Sequence, residues 1–234
     1  MADTVYLSHL TAWAPGLLAD TAAWTDWAAG KKQIVCDASQ PSLDYTEPLF
    51  RRRLSQLSRM TVEVVHTLVE ESGCSRQTKL VFTSLRGEID REFKINKTLI
   101  EENMILPASF SLSVFNTPVA LATIALHLDG GYSAAYPSKG NFASAFAAAA
   151  APVLAGSEKQ LILTYGDELV PEAYGNLRPE DNAPFAFAAL LSAEKPEQNA
   201  PCAACQVQSV SAKPAEFLRT MIVQGAMKKP HAAE

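Results

Sequence analysis

Residues 107–151 read PASFSLSVFNTPVALATIALHLDGGYSAAYPSKGNFASAFAAAAA, and the order of signals along them decides the fold. Asn116-Thr117-Pro118 opens a helix, and His127-Leu128-Asp129-Gly130-Gly131 closes it with a pair of glycines. Tyr132–Tyr136 supplies a short strand, and Pro137-Ser138-Lys139-Gly140-Asn141 follows it. A helix of small residues runs on from Asn141. Ala143, Ala145 and Ala147 to Ala151 carry little side-chain bulk, so its backbone can approach neighbours closely. A helix apolar on every side is expected to be buried all round.

Working outward, the remaining chain alternates strands and helices. Val5–Leu7 reads as a first strand and Thr21–Ala29 as a short helix, with Trp24 and Trp27 three apart as packing residues. Arg52–Glu71 is the clearest helix, with Leu54, Leu57, Met60, Val64, Val65 and Leu68 on one stripe and Gly73 just past its end. Lys79–Ser84 is strand-like, and Arg86-Gly87-Glu88 turns into a charged helix through about Asn103. Gln160–Tyr165, reading QLILTY, is an apolar strand followed by Gly166-Asp167-Glu168. Phe185–Ala193 and Cys205–Val210 are expected to close the fold as an antiparallel pair. Pro214 leads into an amphipathic segment, Glu216–Val223. This order predicts a three-layer α/β domain over residues 1–226 with a mixed, mostly parallel central sheet between helices, and a polar tail over 227–234.

Composition narrows the function classes. The chain has 234 residues, 48% hydrophobic and 19% charged, enough for one large globular core. A net charge of -5 argues against a broad nucleic-acid footprint. The basic clusters Arg51-Arg52-Arg53 and Lys228-Lys229 read as a solvated helix start and a tail; a docking point for an acidic carrier protein is the sharper alternative for the arginines. Met1-Ala2-Asp3-Thr4 lacks a basic leader, so a cytoplasmic location is expected. Asn103–Leu128 carries no Asp, Glu, Lys or Arg, yet Pro107, Pro118 and several Ser and Thr residues break it. It reads as a buried strand, turn and helix, not a membrane span.

Four cysteines, Cys36, Cys74, Cys202 and Cys205, are too sparse for a disulfide scaffold. Cys202-Ala203-Ala204-Cys205 is a single CxxC that opens a strand rather than a helix, and no second pair completes a zinc site. No metal and no cofactor is expected.

The layout of 107–151 resembles the N-terminal half of β-ketoacyl synthases, thiolase-like enzymes that join acyl and malonyl units. The resemblance extends to Arg52–Ser72 as the family's first long helix and Leu80–Gly87 as its second strand and glycine turn. Leu161–Glu168 matches its strand ending in Gly-x-Glu, and Ala183–Leu191 its return strand. It places the family's catalytic Cys at Gly140, give or take one residue, and no Cys lies within sixty positions. An acyl-enzyme needs a thiolate at a helix N-terminus, where the helix dipole lowers its pKa. Ser138, Lys139, Gly140 and Asn141 therefore form a degenerate elbow with no catalytic residue. A serine-hydrolase reading of Ser138 fails because Tyr136-Pro137-Ser138-Lys139-Gly140 is not Gly-x-Ser-x-Gly, and the only later histidine is His231.

The resemblance implies a single thiolase-like half-fold, since the family's two catalytic histidines lie in its second half. It further implies a chain length factor of a type II polyketide or aryl polyene system, heterodimeric with a full-length β-ketoacyl synthase and in reach of an acyl carrier protein. Edge pairing with that partner falls on Tyr132, Ser133, Ala134, Ala135 and Tyr136. Phe110, Leu112 and Phe115 are the candidates for lining the acyl tunnel. A homodimeric acyl- or carrier-binding module and a small stand-alone acyl-transferring enzyme are the alternatives.

Overall fold

The first strand is far longer than its three strongest apolar residues suggest. In the computed structural model, which describes residues 3–175, 177–196 and 199–229, β1 runs over Thr4–Trp13. It continues past Val5–Leu7 because a bulge between Ser8 and Thr11, with His9 at a φ of 50°, resets its register. Helix α1 (Thr21–Ala28) follows, capped by the Asp20 carboxylate. The single turn α2 (Pro48–Arg51) precedes α3 (Gln56–Ser72). Strand β2 (Leu80–Thr83) turns into α4 (Ile89–Glu102), then α5 (Pro107–Phe110) and α6 (Thr117–Leu126). The remaining elements are β3 (Tyr132–Ala134), α7 (Phe142–Leu154), β4 (Gln160–Asp167), α8 (Pro179–Asn182), β5 (Phe185–Ser192), β6 (Cys202–Gln206) and α9 (Pro214–Val223).

One mixed sheet of six strands, ordered β3-β2-β4-β5-β1-β6, lies between helices, as a thiolase-like half-fold requires. The expected parallel majority is not found. Only β2 pairs in parallel, with β3 and β4; β4–β5, β5–β1 and β1–β6 are antiparallel. Parallel pairing needs a helical crossover. Helices α4 to α6 provide one between β2 and β3, and α7 provides one between β3 and β4. The expected pairing of the last two strands is also replaced. β1 lies between them, with Leu7 opposite Leu191 on one side and Ala203 on the other.

Successive residues of a strand point to opposite faces, so a strand covered on both sides is apolar throughout. In β4, Leu161, Leu163 and Tyr165 pack with Trp24, Phe142, Phe146 and Phe217, which come from α1, α7 and α9. Ile162 faces Leu57, Met60, Val64, Val119 and Ala122 from α3 and α6. Helix α3 stops as expected, with Gly73 in the left-handed conformation at φ 62°, but it starts at Gln56 rather than Arg52, because Ser55 caps it by accepting the Ser58 N–H.

Two local expectations fail. The stretch after Asn103 contains no strand: Pro107 starts the single turn α5, and Met104, Ile105, Leu106 and Phe110 are exposed. Prolines 107 and 118 both sit at helix starts, where they interrupt extended pairing and favour helical turns. Helix α7 is buried on one face only; Ala147, Ala148, Ala151 and Leu154 are exposed. At the far end Met227 is buried and bridges Leu10, whereas His231 lies outside the described residues. No helix among the described residues is long and apolar enough to cross a membrane.

Candidate functional site

Strand β3 is the edge of the sheet, bonded to β2 alone. Leu80 donates its N–H to the Gly131 carbonyl (3.0 Å) and Ala135 donates to the Phe82 carbonyl (2.9 Å). The odd-numbered residues thus face β2, and by strand alternation the backbone groups of Tyr132 and Ala134 face outward. Tyr132, Ser133, Ala134 and Tyr136 are exposed and Ala135 is half-buried. Ile100, Met104, Ile105, Leu106, Phe110 and Val114 add exposed apolar surface on the segment that precedes this edge in the chain.

Beyond the strand the elbow forms as a turn of 3-10 helix over Ser138–Gly140, with Lys139 at φ 53° and Gly140 at φ 68°. The Asn141 side-chain oxygen accepts the Ala143 N–H (3.0 Å) and caps α7. The Ser138 N–H donates to the Ser144 hydroxyl (2.8 Å), which fastens the elbow to the first turn of that helix. A strand-to-helix elbow with its tip at a helix N-terminus is thus present, and every residue from Ser138 to Asn141 is exposed. The Ser144 hydroxyl is occupied as the acceptor of Ser138 and as a donor to the Asn141 carbonyl (2.8 Å). No titratable base among the described residues is hydrogen-bonded to the Ser138 hydroxyl.

The cysteines lie elsewhere. Cys202 and Cys205 are on β6, at the opposite edge of the sheet from β3, and three positions apart on a strand they point to opposite faces. Burial raises the Cys202 thiol and pushes Cys205 up to about 11, which keeps both protonated and unreactive. Cys36 donates to the Pro179 carbonyl, and all four cysteines are free thiols. Among the described residues no group of His, Cys, Asp and Glu is placed to hold a metal ion.

The three tunnel candidates do not converge. Phe110 is on the surface of α5. Phe115 is half-buried between Phe82 (5.7 Å between ring centres) and Tyr136 (5.6 Å), and its ring lies 3.1 Å from where a Cβ on Gly87 would be. Leu112 lines a cavity bounded by α3 to α6. The arginine triplet is divided as well: Arg51 is held by Asp44 (2.9 Å) and the Leu43 carbonyl, while Arg52 and Arg53 are exposed.

Sequence reasoning did not foresee the buried polar joint at the end of β4. Ser84 and Tyr165 donate their hydroxyls to Asp167, at 2.7 and 2.5 Å, and the N–H groups of Leu85 and Arg86 bond the same carboxylate. Arg86 reaches over to it at 4.0 Å and also donates to the Asp181 carbonyl. Glu168 accepts the N–H of Leu57 at the start of α3 (3.2 Å) and of Asp90 at the start of α4 (2.9 Å). Beside it, Glu88 accepts both Ser55 and Ser58 hydroxyls and the Arg91 side chain. Burial, reinforced by the Glu88 charge, pushes the Glu168 carboxyl up to about 8. The available signal was the pair of acidic residues placed directly after an apolar strand.

Comparisons with known proteins identify the family. Residues 24–229 match the family model for the β-ketoacyl synthase N-terminal domain. The chain belongs to the β-ketoacyl synthase family. Among solved structures, a ketosynthase (ApeO) in complex with its chain length factor (ApeC) from Xenorhabdus doucetiae superposes with a TM-score of 0.67 at 26% identity, covering 81% of this chain and 79% of the matched one. The ishigamide ketosynthase/chain length factor gives 0.64 at 14% identity, over 85% of this chain and 64% of that one. A type II polyketide ketosynthase bound to its acyl carrier protein, AntDE:AntF, gives 0.61 at 15% identity, over 82% and 63%. The last two likenesses establish the thiolase-like β-ketoacyl synthase fold alone, and the chain spans less than two thirds of those chains. No curated protein matches the sequence.

Proposed function

We propose that this β-ketoacyl synthase family member is a non-catalytic subunit of the chain-length-factor type, which pairs with an active ketosynthase in polyketide or related chain elongation. The observation that carries the reading is the elbow. A tight turn between β3 and the capped start of α7 supports the elbow reading, and Ser138 to Asn141 offer no thiol and no serine hydrogen-bonded to a base. A half-fold whose turn lacks a reactive group fits a role in assembly better than one in acyl transfer. Strand β3 supplies the natural contact, because an edge strand with outward N–H and C=O groups is a template for pairing with another chain. The resemblance adds a partner that contributes the Cys and histidines, an acyl carrier protein as the substrate's bearer, and a cytoplasmic setting.

The test uses a tagged full chain expressed in its native source, with copurifying proteins identified by mass spectrometry. A ketosynthase with an intact Cys and two histidines, recovered in equal amount, is the expected result. Ala134→Pro sharpens it. The Ala134 N–H faces away from β2, so proline there removes an outward donor and spares the β2–β3 ladder. The variant should keep its fold and lose the partner. A soluble chain that elutes alone, or an Ala134→Pro variant that holds the ketosynthase as tightly as before, would overturn the reading.

A further inference from the structure

Helix α4 is fastened to α3 and β4 at one end only. None of its residues from Ile89 to Glu102 is buried, so apolar packing contributes little to holding it. Gly87 and Asn103 bound it, both in the left-handed conformation, at φ 64° and 50°. The polar ties gather at its start. The Asp90 N–H donates to Glu168 (2.9 Å), Glu88 accepts the Ser55 and Ser58 hydroxyls, and Arg91 donates to the Arg53 carbonyl (2.8 Å). One turn further on, the Phe93 ring meets that of Tyr174 at 5.6 Å.

The Glu168 carboxyl spans two helices. It is 1% exposed, and one oxygen accepts the N–H of Leu57 at the start of α3 while the other accepts that of Asp90. The charges around it leave it without a cation of its own. From α4 come Glu88, itself 2% exposed, and Asp90, which is paired with Lys94. Arg91 is spent on Glu88 at 3.1 Å. Arg86, from the turn after β2, donates to the Glu168 backbone carbonyl (3.2 Å) and faces Asp167 at 4.0 Å. Asp167 in turn takes the Ser84 and Tyr165 hydroxyls. Helix α3 presents Ser55 and Ser58, whose hydroxyls both go to Glu88. Among the described residues no cation bonds the Glu168 carboxyl. A neutral carboxyl can sit there, whereas an ionised one stands desolvated against Glu88.

We propose that Glu168 is a proton-operated latch on α4: protonated, it joins the starts of α3 and α4, and its ionisation beside Glu88 releases α4 about Gly87 while the sheet stays folded. Release admits water to the carboxyl and relieves its repulsion from Glu88. The sign follows from the two environments. The carboxyl titrates at about 8 when closed and at about 4.3 once open to water. The latch is therefore at full strength below about pH 4, weakens as pH rises, and is lost above 8. Within that window the open fraction rises by up to about tenfold per pH unit. None of the residues involved belongs to the edge strand or the elbow, so the inference does not rest on the accessory-subunit reading.

The experiment measures amide hydrogen exchange by mass spectrometry on the purified full chain from pH 5 to 9, with each rate divided by its intrinsic value. Protection over residues 92–102 should fall by up to about tenfold per pH unit to pH 8 and level off above it. Protection over 161–166 of β4 should stay at least about a hundredfold higher throughout, as a local opening requires. Glu168→Gln keeps an acceptor for the two N–H groups and cannot ionise, so its α4 protection should not change with pH. Glu88→Gln removes the neighbouring charge and should move the levelling-off below pH 8, which tests the latch even where Glu168→Gln fails to fold. Equal protection of α4 and β4 overturns the proposal, as does a pH slope that survives in Glu168→Gln or a break that stays at pH 8 in Glu88→Gln. None of these outcomes bears on whether a ketosynthase copurifies, so the two readings fail separately.

Discussion

Strands β3 and β4 flank the same strand, β2, in the same parallel sense, and their environments are opposite. Every residue of β4 from Leu161 to Asp167 is buried, whereas Tyr132, Ser133 and Ala134 of β3 are all exposed. The sheet is a finished interior on one side of β2 and an open surface on the other. Strand pairing alone therefore does not make a strand part of the core; cover from helices does. β4 has α3 on one face and α7 on the other, while β3 has α6 against part of its length and no strand beyond it.

The largest break in this comparison should come from the covered side. Phe142 is fully buried and packs on Tyr165, Phe187 and Phe217, so Phe142→Ala should cost about 3–5 kcal/mol in chemical denaturation. Next is the joint that carries β3. A Cβ on Gly130 would lie 2.2 Å from the Gln77 carbonyl oxygen, a backbone atom that cannot swing aside. Gly130→Ala should cost about 1–3 kcal/mol and raise hydrogen exchange first at Leu80 and Ala135, which bond across β2 and β3.

The end of β4 gives a pH signature. Glu168 titrates at about 8 in the folded chain and near 4.3 unfolded, so between those values the folded state holds the extra proton. Its contribution to stability is full below about pH 4, falls as pH rises toward 8, and is lost above it. The slope reaches about 1.4 kcal/mol per pH unit at most. Thermal unfolding from pH 5 to 8 should show the decline, and Glu168→Gln should flatten it. The smallest effect belongs to the open side: Tyr132→Ala should change the stability of the chain by no more than about 0.5 kcal/mol, while weakening partner recovery. A loss of stability there as large as that of Phe142→Ala would erase the distinction between the two strands.

What could be read in advance follows the same division. Helix α3 was legible because its apolar stripe and its Gly73 stop are local signals, although its start at Ser55 was placed too early. The strand, turn and helix at 132–154 were legible through the family resemblance, although the strand ends at Ala134 rather than Tyr136. Partner choice between strands was not. Nothing within Phe185–Ser192 or Cys202–Gln206 tells them to accept β1 between them, because that pairing depends on residues nearly two hundred positions away. The all-apolar composition of α7 promised cover on every side, and Ala147, Ala148 and Ala151 stand exposed, since composition does not say which neighbour is at hand. The Asp167 and Glu168 joint was hidden because its donors come from Ser84 and from the starts of two other helices.

The position of β1 has a consequence for how the molecule is made. Of the six strands of the sheet it is made before all the others, and its neighbours β5 and β6 are made after them. Until residues 185–206 have been synthesised, Val5, Leu7 and Leu10 have no strand on either side, and their apolar side chains wait in the open. Non-local pairing of this kind closes slowly and leaves nascent chains prone to aggregate. Slowing translation late in the message should therefore lower the soluble yield, and a chaperone that shields the emerging N-terminal segment should restore it.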